Sequence, residues 1–146
     1  INSGGFAAAI WAHEYLAMTH LNKEADEAQK QKYLVPSVTG EKIGCLCITE
    51  PFGGSDVGGM RTTAVKKGDS YVINGSKTFI TNGGYSDYLI VAAKTSPELG
   101  HKGISIFVMD RDMPGISATK LDQLGWRASD RAEIAMDNVW LLYSSP

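Results

Sequence analysis

The sequence has too little charge of one sign and too few long apolar runs for several classes of protein. Its 146 residues carry 14 Lys and Arg against 16 Asp and Glu, a formal net charge of −2. This balance gives no basic surface for nucleic acid. No apolar run approaches the roughly 20 residues that a membrane-spanning helix requires. We therefore expect neither a nucleic-acid partner nor a membrane span.

Cysteine and histidine are also scarce, with two and three residues. Cys45 and Cys47 are two residues apart, so on a strand their Cα atoms would be about 6.5–7 Å apart, at the outer limit for a disulfide. We interpret them as small buried apolar side chains, which is consistent with a reducing, intracellular compartment. His13 precedes Glu14 but has no second histidine four residues later, so the zinc-protease pattern is missing. No metal site is predicted.

The first forty residues have helical periodicity. Apolar residues recur at three- and four-residue steps over about Gly5–Leu21, with Ser3 as a candidate N-cap. This segment is apolar on most sides, which predicts a helix buried among other elements. A second helix is predicted over Glu27–Leu34, where Asp26 begins a capping box and Pro36 is expected to end the helix.

From Glu41 onward the period changes to alternation, which is typical of strands. The Asn74-Gly75 dipeptide lies between two short apolar runs and predicts a tight hairpin turn. Many short strands without βαβ alternation predict an α+β fold, with N-terminal helices followed by an antiparallel β-barrel or sandwich. The predicted strands are Gly44–Thr49, Thr62–Lys67, Tyr71–Asn74, Lys77–Thr81, Tyr88–Ala93, Ile104–Met109, Ile116–Leu121 and Arg131–Met136.

The stretch from Cys45 to Met60 reads C-L-C-I-T-E-P-F-G-G-S-D-V-G-G-M. Its glycines allow backbone N–H groups to approach a ligand closely, and Ser55 adds a hydroxyl, so the loop is a candidate site for a phosphate-bearing ligand. The alternative is a glycine-rich surface turn. We interpret Glu50 as a residue that holds this loop and Asp56 as a turn or cap former.

A second stretch, from Asn74 to Gly84, reads N-G-S-K-T-F-I-T-N-G-G. Phe79 and Thr81 are two residues apart and would share one face of a strand. An aromatic ring beside a hydroxyl suits a flat heteroaromatic ligand. The alternative is a core phenylalanine and a threonine in an ordinary cross-strand pair.

Together, I-T-E-P-x-G-G-S-D and I-N-G-x-K-x-F-I-T-N-G-G resemble the acyl-CoA dehydrogenase family. Glu27–Leu34 and Leu124–Asp130 are similar to further family segments, so the resemblance covers roughly residues 26–139. It implies that residues 1–38 belong to an N-terminal helical domain and residues 39–146 to a β-rich, flavin-binding middle domain. The family's C-terminal helical domain is expected to be absent from these residues, which would make the chain an internal part of a longer protein.

The resemblance also implies roles for individual residues. Thr81 would form a hydrogen bond near the reactive nitrogen of FAD, and the glycine-rich loop would approach the pyrophosphate and the acyl-CoA. Ser55 and His101 are the candidate substrate-binding residues. The FAD-binding residues would be Leu46, Cys47, Ile48, Thr49, Gly54, Ser55, Phe79, Ile80 and Thr81.

The implied reaction is α,β-desaturation of an acyl-CoA thioester, a step of fatty-acid β-oxidation. The family's catalytic base is a glutamate on C-terminal helices that no residue here matches, so no catalytic residue is predicted and these residues alone are expected to be inactive. Implied partners are an electron-transfer flavoprotein and further copies in a homo-oligomer. The implied location is intracellular: the cytoplasm of a bacterium or the mitochondrial matrix of a eukaryote. Alternatives are an acyl-CoA oxidase or flavin monooxygenase on the same fold, or a non-enzymatic β-sandwich binding module.

Overall fold

The fold is known from a computed structural model that describes residues 3–142. Two helical runs come first, and a seven-stranded sheet follows. The predicted α+β class and the order of helices before strands are confirmed. The predicted bounds and strand directions are partly wrong, and these differences shape the candidate site.

The first helical run consists of Gly4–Trp11, a π-helical segment Ala12–Met18, and Thr19–Glu24. Ser3 is its N-cap, as predicted, because its Oγ accepts a hydrogen bond from the Phe6 N–H at 3.4 Å. One side of the run packs on the second run and the sheet through Ala17 and Leu21. The prediction of a buried helix therefore holds for that side alone. Four large side chains remain exposed: Phe6, Ile10, Trp11 and Tyr15.

The second helical run consists of Glu27–Gln29, a π-helical segment Lys30–Leu34, and Val35–Val38. Its predicted capping box is present, with the Gln29 N–H donating to Asp26 Oδ1 at 2.7 Å. The prediction that Pro36 ends the helix is wrong. Pro36 lies in the first turn of the segment Val35–Val38, a position where a residue that lacks an N–H is tolerated.

The strands are β1 (Gly44–Cys47), β2 (Thr63–Lys67), β3 (Ser70–Thr81), β4 (Tyr88–Lys94), β5 (Ile104–Asp110), β6 (Ile116–Lys120) and β7 (Arg131–Leu142). Two short 3₁₀ segments, Val57–Gly59 and Pro97–Gly103, lie in the connections. The order in the sheet is β1-β4-β2-β3-β7-β6. β5 lies off this path and pairs with β4.

The sheet is mixed, which corrects the antiparallel prediction. β4 pairs with β1 over Tyr88–Val91 and with β2 at Lys94, and it runs parallel to both. The pairs β2–β3, β3–β7, β4–β5 and β6–β7 are antiparallel. Period-two alternation reports which face of a sheet a residue occupies and carries no information about the direction of the neighbouring strand. The sequence pattern therefore predicted the strands without predicting these two pairings.

The predicted hairpin at Asn74-Gly75 is also wrong, because β3 continues through it. Gly75 has φ +151° and lies at a register shift between β3 and β7. A Cβ at Gly75 would lie 2.7 Å from the Thr62 Cα. Asn74 supports the irregularity, since its Oδ1 accepts from the Asn138 N–H at 2.8 Å. The dipeptide marks a bulge and a close backbone approach instead of a turn.

The main core lies on one face of the sheet. Fully buried residues from several strands form it, including Ile73, Leu89, Met109 and Ile134. Cys45 and Cys47 belong to this core as free thiols, with Sγ atoms 3.7 Å apart. The interpretation of the two cysteines as buried apolar residues is confirmed.

We predict that Gly75→Ala destabilises the fold by about 1–3 kcal/mol, because the new methyl group overlaps Thr62 and the backbone conformation favours glycine. The free energy of unfolding from denaturant titration measures this. Gly125→Ala is the matched control, since no atom lies within 4 Å of a Cβ there. Equal stability of the two variants would show that the close approach is absent in solution.

Candidate functional site

The two motif-bearing segments lie side by side at one end of the sheet. The chain leaves β1 through Ile48 and Thr49, and the second half of β3 passes next to it. The Thr78 N–H donates to the Thr49 carbonyl oxygen at 2.8 Å. Residues that are about thirty positions apart in the sequence are therefore joined by a backbone hydrogen bond.

The end of β3 is irregular in a way that presents Phe79 to the outside. Phe79 has φ +57°, and the register with β7 shifts between Lys77 and Ile80. As a result Phe79 is 61% exposed while Ile80 is buried at 2%. A positive φ at a bulky residue is strained, and such strain is concentrated at ligand sites.

A cavity of about 390 Å³ lies beside these segments and the first helical run. Six predicted FAD-binding residues line it: Leu46, Ile48, Thr49, Phe79, Ile80 and Thr81. Four further lining residues were not predicted: Trp11, Ala12, Leu16 and Arg131. The helix contributes three of these four, and no sequence motif marks them because they reach the site through tertiary packing.

Four other predicted residues lie away from this cavity. Cys47 is completely buried and faces the core, because successive residues of β1 alternate between faces. Gly54 and Ser55 are exposed on the glycine-rich loop. His101 lies next to that loop, with its backbone nitrogen 3.8 Å from the position of a Cβ at Gly58. The candidate phosphate- and substrate-binding residues therefore form a separate group on two adjacent loops.

A buried ion pair connects the two motifs beneath the site. Lys77 Nζ donates to Glu50 Oε1 at 2.9 Å and to the Ile48 carbonyl oxygen at 3.1 Å. The Lys77 and Glu50 side chains are 0% and 4% exposed. Charges in such surroundings need full pairing, because removal from water is costly. Lys77 thus links β3 to the segment that carries Ile48 and Thr49.

Glu50 also holds the loop that follows. Its carboxylate accepts hydrogen bonds from the Arg61 N–H at 2.6 Å, the Thr62 N–H at 2.9 Å and the Thr62 hydroxyl at 2.5 Å. The interpretation of Glu50 as a loop-holding residue is confirmed. Asp56 is confirmed as a cap, since its Oδ1 accepts from the Gly59 N–H at 3.0 Å.

Burial raises the pKa of Glu50, but the hydrogen bonds from Thr62, from the Arg61 and Thr62 backbone and from Lys77 outweigh it and lower the pKa to about 2. Burial lowers the pKa of Lys77, and its hydrogen bond to Glu50 opposes that shift. Glu50 is therefore an ionised, fully engaged carboxylate. Such a group is a poor proton acceptor, which argues against Glu50 as a catalytic base.

Three hydrogen bonds hold the helical wall of the cavity in place. Asn82, directly after β3, donates from Nδ2 to the Ala9 carbonyl oxygen at 2.9 Å. His13 Nδ1 accepts from the Gly44 N–H at 3.1 Å, which leaves Nε2 to donate to the Ser37 carbonyl oxygen at 3.4 Å. The first helical run is thus hydrogen-bonded to the start of β1 and to the residue after β3.

A larger cavity of about 910 Å³ lies between the helical runs and strands that include β5 and β7, and no predicted site residue lines it. Over residues 3–142, no group of His, Cys, Asp and Glu side chains is arranged to hold a metal ion. Within the same part of the chain, no helix combines the length and apolarity that crossing a membrane requires.

The chain is similar in sequence to proteins of one known family. Residues 45–139 match the family model described as acyl-CoA dehydrogenase, middle domain. The short-chain-specific acyl-CoA dehydrogenase of Clostridium acetobutylicum is 47% identical over 137 residues, which is 93% of this chain and 36% of that protein. The chain therefore spans about a third of the length of the curated relatives that it matches.

Solved structures share the fold. Butyryl-CoA dehydrogenase from Megasphaera elsdenii superimposes with a TM-score of 0.93 at 37% identity, over 98% of this chain and 39% of that one. A glutaryl-CoA dehydrogenase from Mycobacterium smegmatis in complex with FADH2 has a TM-score of 0.89 at 36% identity, over 94% of this chain and 35% of that one. The fold is that of an acyl-CoA dehydrogenase middle domain. The chain belongs to the acyl-CoA dehydrogenase family.

We predict that Lys77→Met and Glu50→Gln each destabilise the protein by about 3–5 kcal/mol, because each leaves a buried group of the pair without its partner. The free energy of unfolding measures this. Lys32→Met and Asp110→Asn are the matched controls: that pair is 2.6 Å apart but 53% and 33% exposed, and exposed pairs contribute about 0–1 kcal/mol. Similar losses in both pairs would contradict the account.

The same variants have an acid-pH readout. The folded-state pKa of Glu50, about 2, lies below its ordinary value of 4.5. Its contribution to stability is therefore present above pH 4.5 and is lost as the pH falls towards 2. The stability difference between the parent protein and Glu50→Gln should shrink over that range. A difference that stays constant would show that Glu50 is not held ionised.

Proposed function

We propose that this chain provides one wall of the FAD site in an acyl-CoA dehydrogenase that desaturates acyl-CoA thioesters. The proposal is based on one observation: six residues from the two sequence motifs line the same cavity of about 390 Å³. Family membership supports the same activity. Purification of a full-length protein that contains this sequence, followed by its visible spectrum with and without an acyl-CoA, tests the proposal directly.

The residues present fit a flavin ring. The cavity volume of about 390 Å³ falls within the range of small-ligand sites, and its lining is largely apolar with a few polar groups. Phe79 and Leu46 give flat or bulky apolar surface, and the Thr49 and Thr81 hydroxyls can donate to acceptors at a ring edge. Arg131 also lines the cavity, and its buried Nε has no hydrogen-bond partner among residues 3–142.

The two exposed loops are proposed to serve the phosphate groups. Gly54 and Ser55 offer backbone N–H groups and a hydroxyl close to the surface, as a phosphate requires. His101, next to Gly58, is proposed to approach the nucleotide part of the acyl-CoA. We also keep the proposed division into an N-terminal helical part, residues 1–38, and a flavin-binding part, residues 39–146.

When bound, FAD supplies the acceptor for the hydride that leaves the β-carbon of the acyl chain. The side chains at the cavity would hold the ring in position and keep water from its covered face. The described lining residues include no carboxylate, so the base that removes the α-proton has to come from elsewhere. We therefore expect no turnover from these 146 residues by themselves in an assay with FAD, an acyl-CoA and an artificial electron acceptor.

The proposed partners follow from the activity. An electron-transfer flavoprotein would reoxidise the reduced cofactor, and the exposed apolar side of the first helical run is a surface for contacts within a homo-oligomer or with further domains.

An oxidase or a monooxygenase on the same fold would differ in its use of oxygen. Reoxidation of the reduced protein by air within a turnover time would favour the oxidase, and slow reoxidation favours the dehydrogenase. An intracellular location is proposed on the same basis.

We predict that Thr81→Ala and Thr49→Ala each weaken FAD binding by about 0.5–1.5 kcal/mol, the net value of one hydrogen bond. Fluorescence titration of the apoprotein of a full-length protein with FAD measures the dissociation constant. Thr119→Ala is the matched control, because Thr119 is an exposed threonine of β6 outside the cavity. Unchanged FAD affinity in both site variants would sink the assignment of the two motifs to the flavin.

A further inference from the structure

Arg131 is a charged residue at the candidate flavin cavity that neither motif contains. Of the described residues that line this cavity, it alone carries a charge. It begins β7, forty-seven positions beyond Gly84 at the end of the second motif. The side chain is half-buried, and the other lining residues are apolar or carry hydroxyl groups.

The sheet register places Arg131 beside Thr81. The two residues are direct partners in the antiparallel β3–β7 pair. Directly opposed residues have side chains on the same face with Cβ atoms about 4.5–5.5 Å apart. The neighbouring partners, Ile80 and Ala132, both point into the core, so Arg131 and Thr81 share the face that borders the cavity.

The protein supports Arg131 from one side and leaves a donor unused. Its guanidinium carbon lies 5.7 Å from the centre of the Trp126 ring. Trp126 itself is fixed by a turn in which its carbonyl oxygen accepts from the Ser129 N–H at 2.8 Å. Among residues 3–142, Arg131 Nε has no hydrogen-bond partner. That nitrogen is covered whereas the residue as a whole is half-buried, so a ligand in the cavity would be met by other atoms of Arg131.

We propose that Arg131 binds the carbonyl-bearing edge of the flavin ring and stabilises negative charge on the reduced ring. This inference rests on the proposed function. The ring edge presents several acceptors in one plane, which suits the planar fork of a guanidinium. The ring is favoured over the phosphates because Arg131 shares its cavity with Phe79 and Thr81, whereas Gly54 and Ser55 lie outside it. A cation at this edge raises the reduction potential of a flavin.

The test uses Arg131→Gln and Arg131→Lys in the full-length, flavin-loaded protein, with two readouts: the FAD dissociation constant and the reduction potential. A hydrogen bond from a charged group corresponds to about a tenfold to hundredfold change in a dissociation constant. We expect such a loss for Arg131→Gln, together with a shift of the potential to more negative values. Arg131→Lys keeps the positive charge, so its reduction potential should stay close to that of the parent protein. Its affinity for FAD should be partly reduced.

Lys120→Gln is the matched control, because Lys120 is an exposed cation that pairs with Ala132, next to Arg131. It should leave both quantities unchanged. Weaker FAD binding by Arg131→Gln with an unchanged potential would overturn the ring-edge assignment in favour of the phosphates. Parent-like values for both quantities would overturn any role at the cofactor. If the parent protein binds no FAD, the proposed function itself fails, and that result is distinct from both.

Discussion

The arrangement of the candidate site depends on the buried contact of Lys77 with Glu50 and with the Ile48 carbonyl oxygen. The two charges are tolerable in the interior only as a pair with further hydrogen bonds, and Glu50 receives those from Arg61 and Thr62. Lys77 lies two residues before Phe79 on β3, so the ion pair anchors β3 directly before the irregularity that exposes Phe79. The ion pair thus sets the distance between the two segments that border the cavity.

The helices and strands were largely predictable, because periodicity and capping are local properties. The Asp26 capping box, the Ser3 cap and most strand positions follow from short windows of sequence. The errors arose where a distant contact decided the outcome. Gly75 has the sequence context of a hairpin residue, but its conformation serves a close approach to Thr62. Pro36 was expected to end a helix, but it lies in the first turn of the next helical segment, Val35–Val38.

The site was predictable to the extent that its residues lie in the two motifs. Thr49, Phe79 and Thr81 border one cavity, as the motifs indicated. Trp11 and Arg131 were missed, because packing of the first helical run and the β3–β7 register bring them there, and neither is encoded within a motif. One signal was available for Arg131: an arginine at the start of an alternating strand, with a tryptophan five residues earlier.

We propose that the cavity beside β3 holds the flavin ring, and a crystal structure of a full-length protein with bound FAD would decide this. We expect the ring between Phe79 and the segment of Ile48 and Thr49, with the Thr81 hydroxyl and the Arg131 guanidinium within hydrogen-bond distance, about 2.7–3.2 Å, of its edge. A ring bound elsewhere on the sheet, or a cavity closed by side chains in the complex, would show that this cavity is not the flavin site.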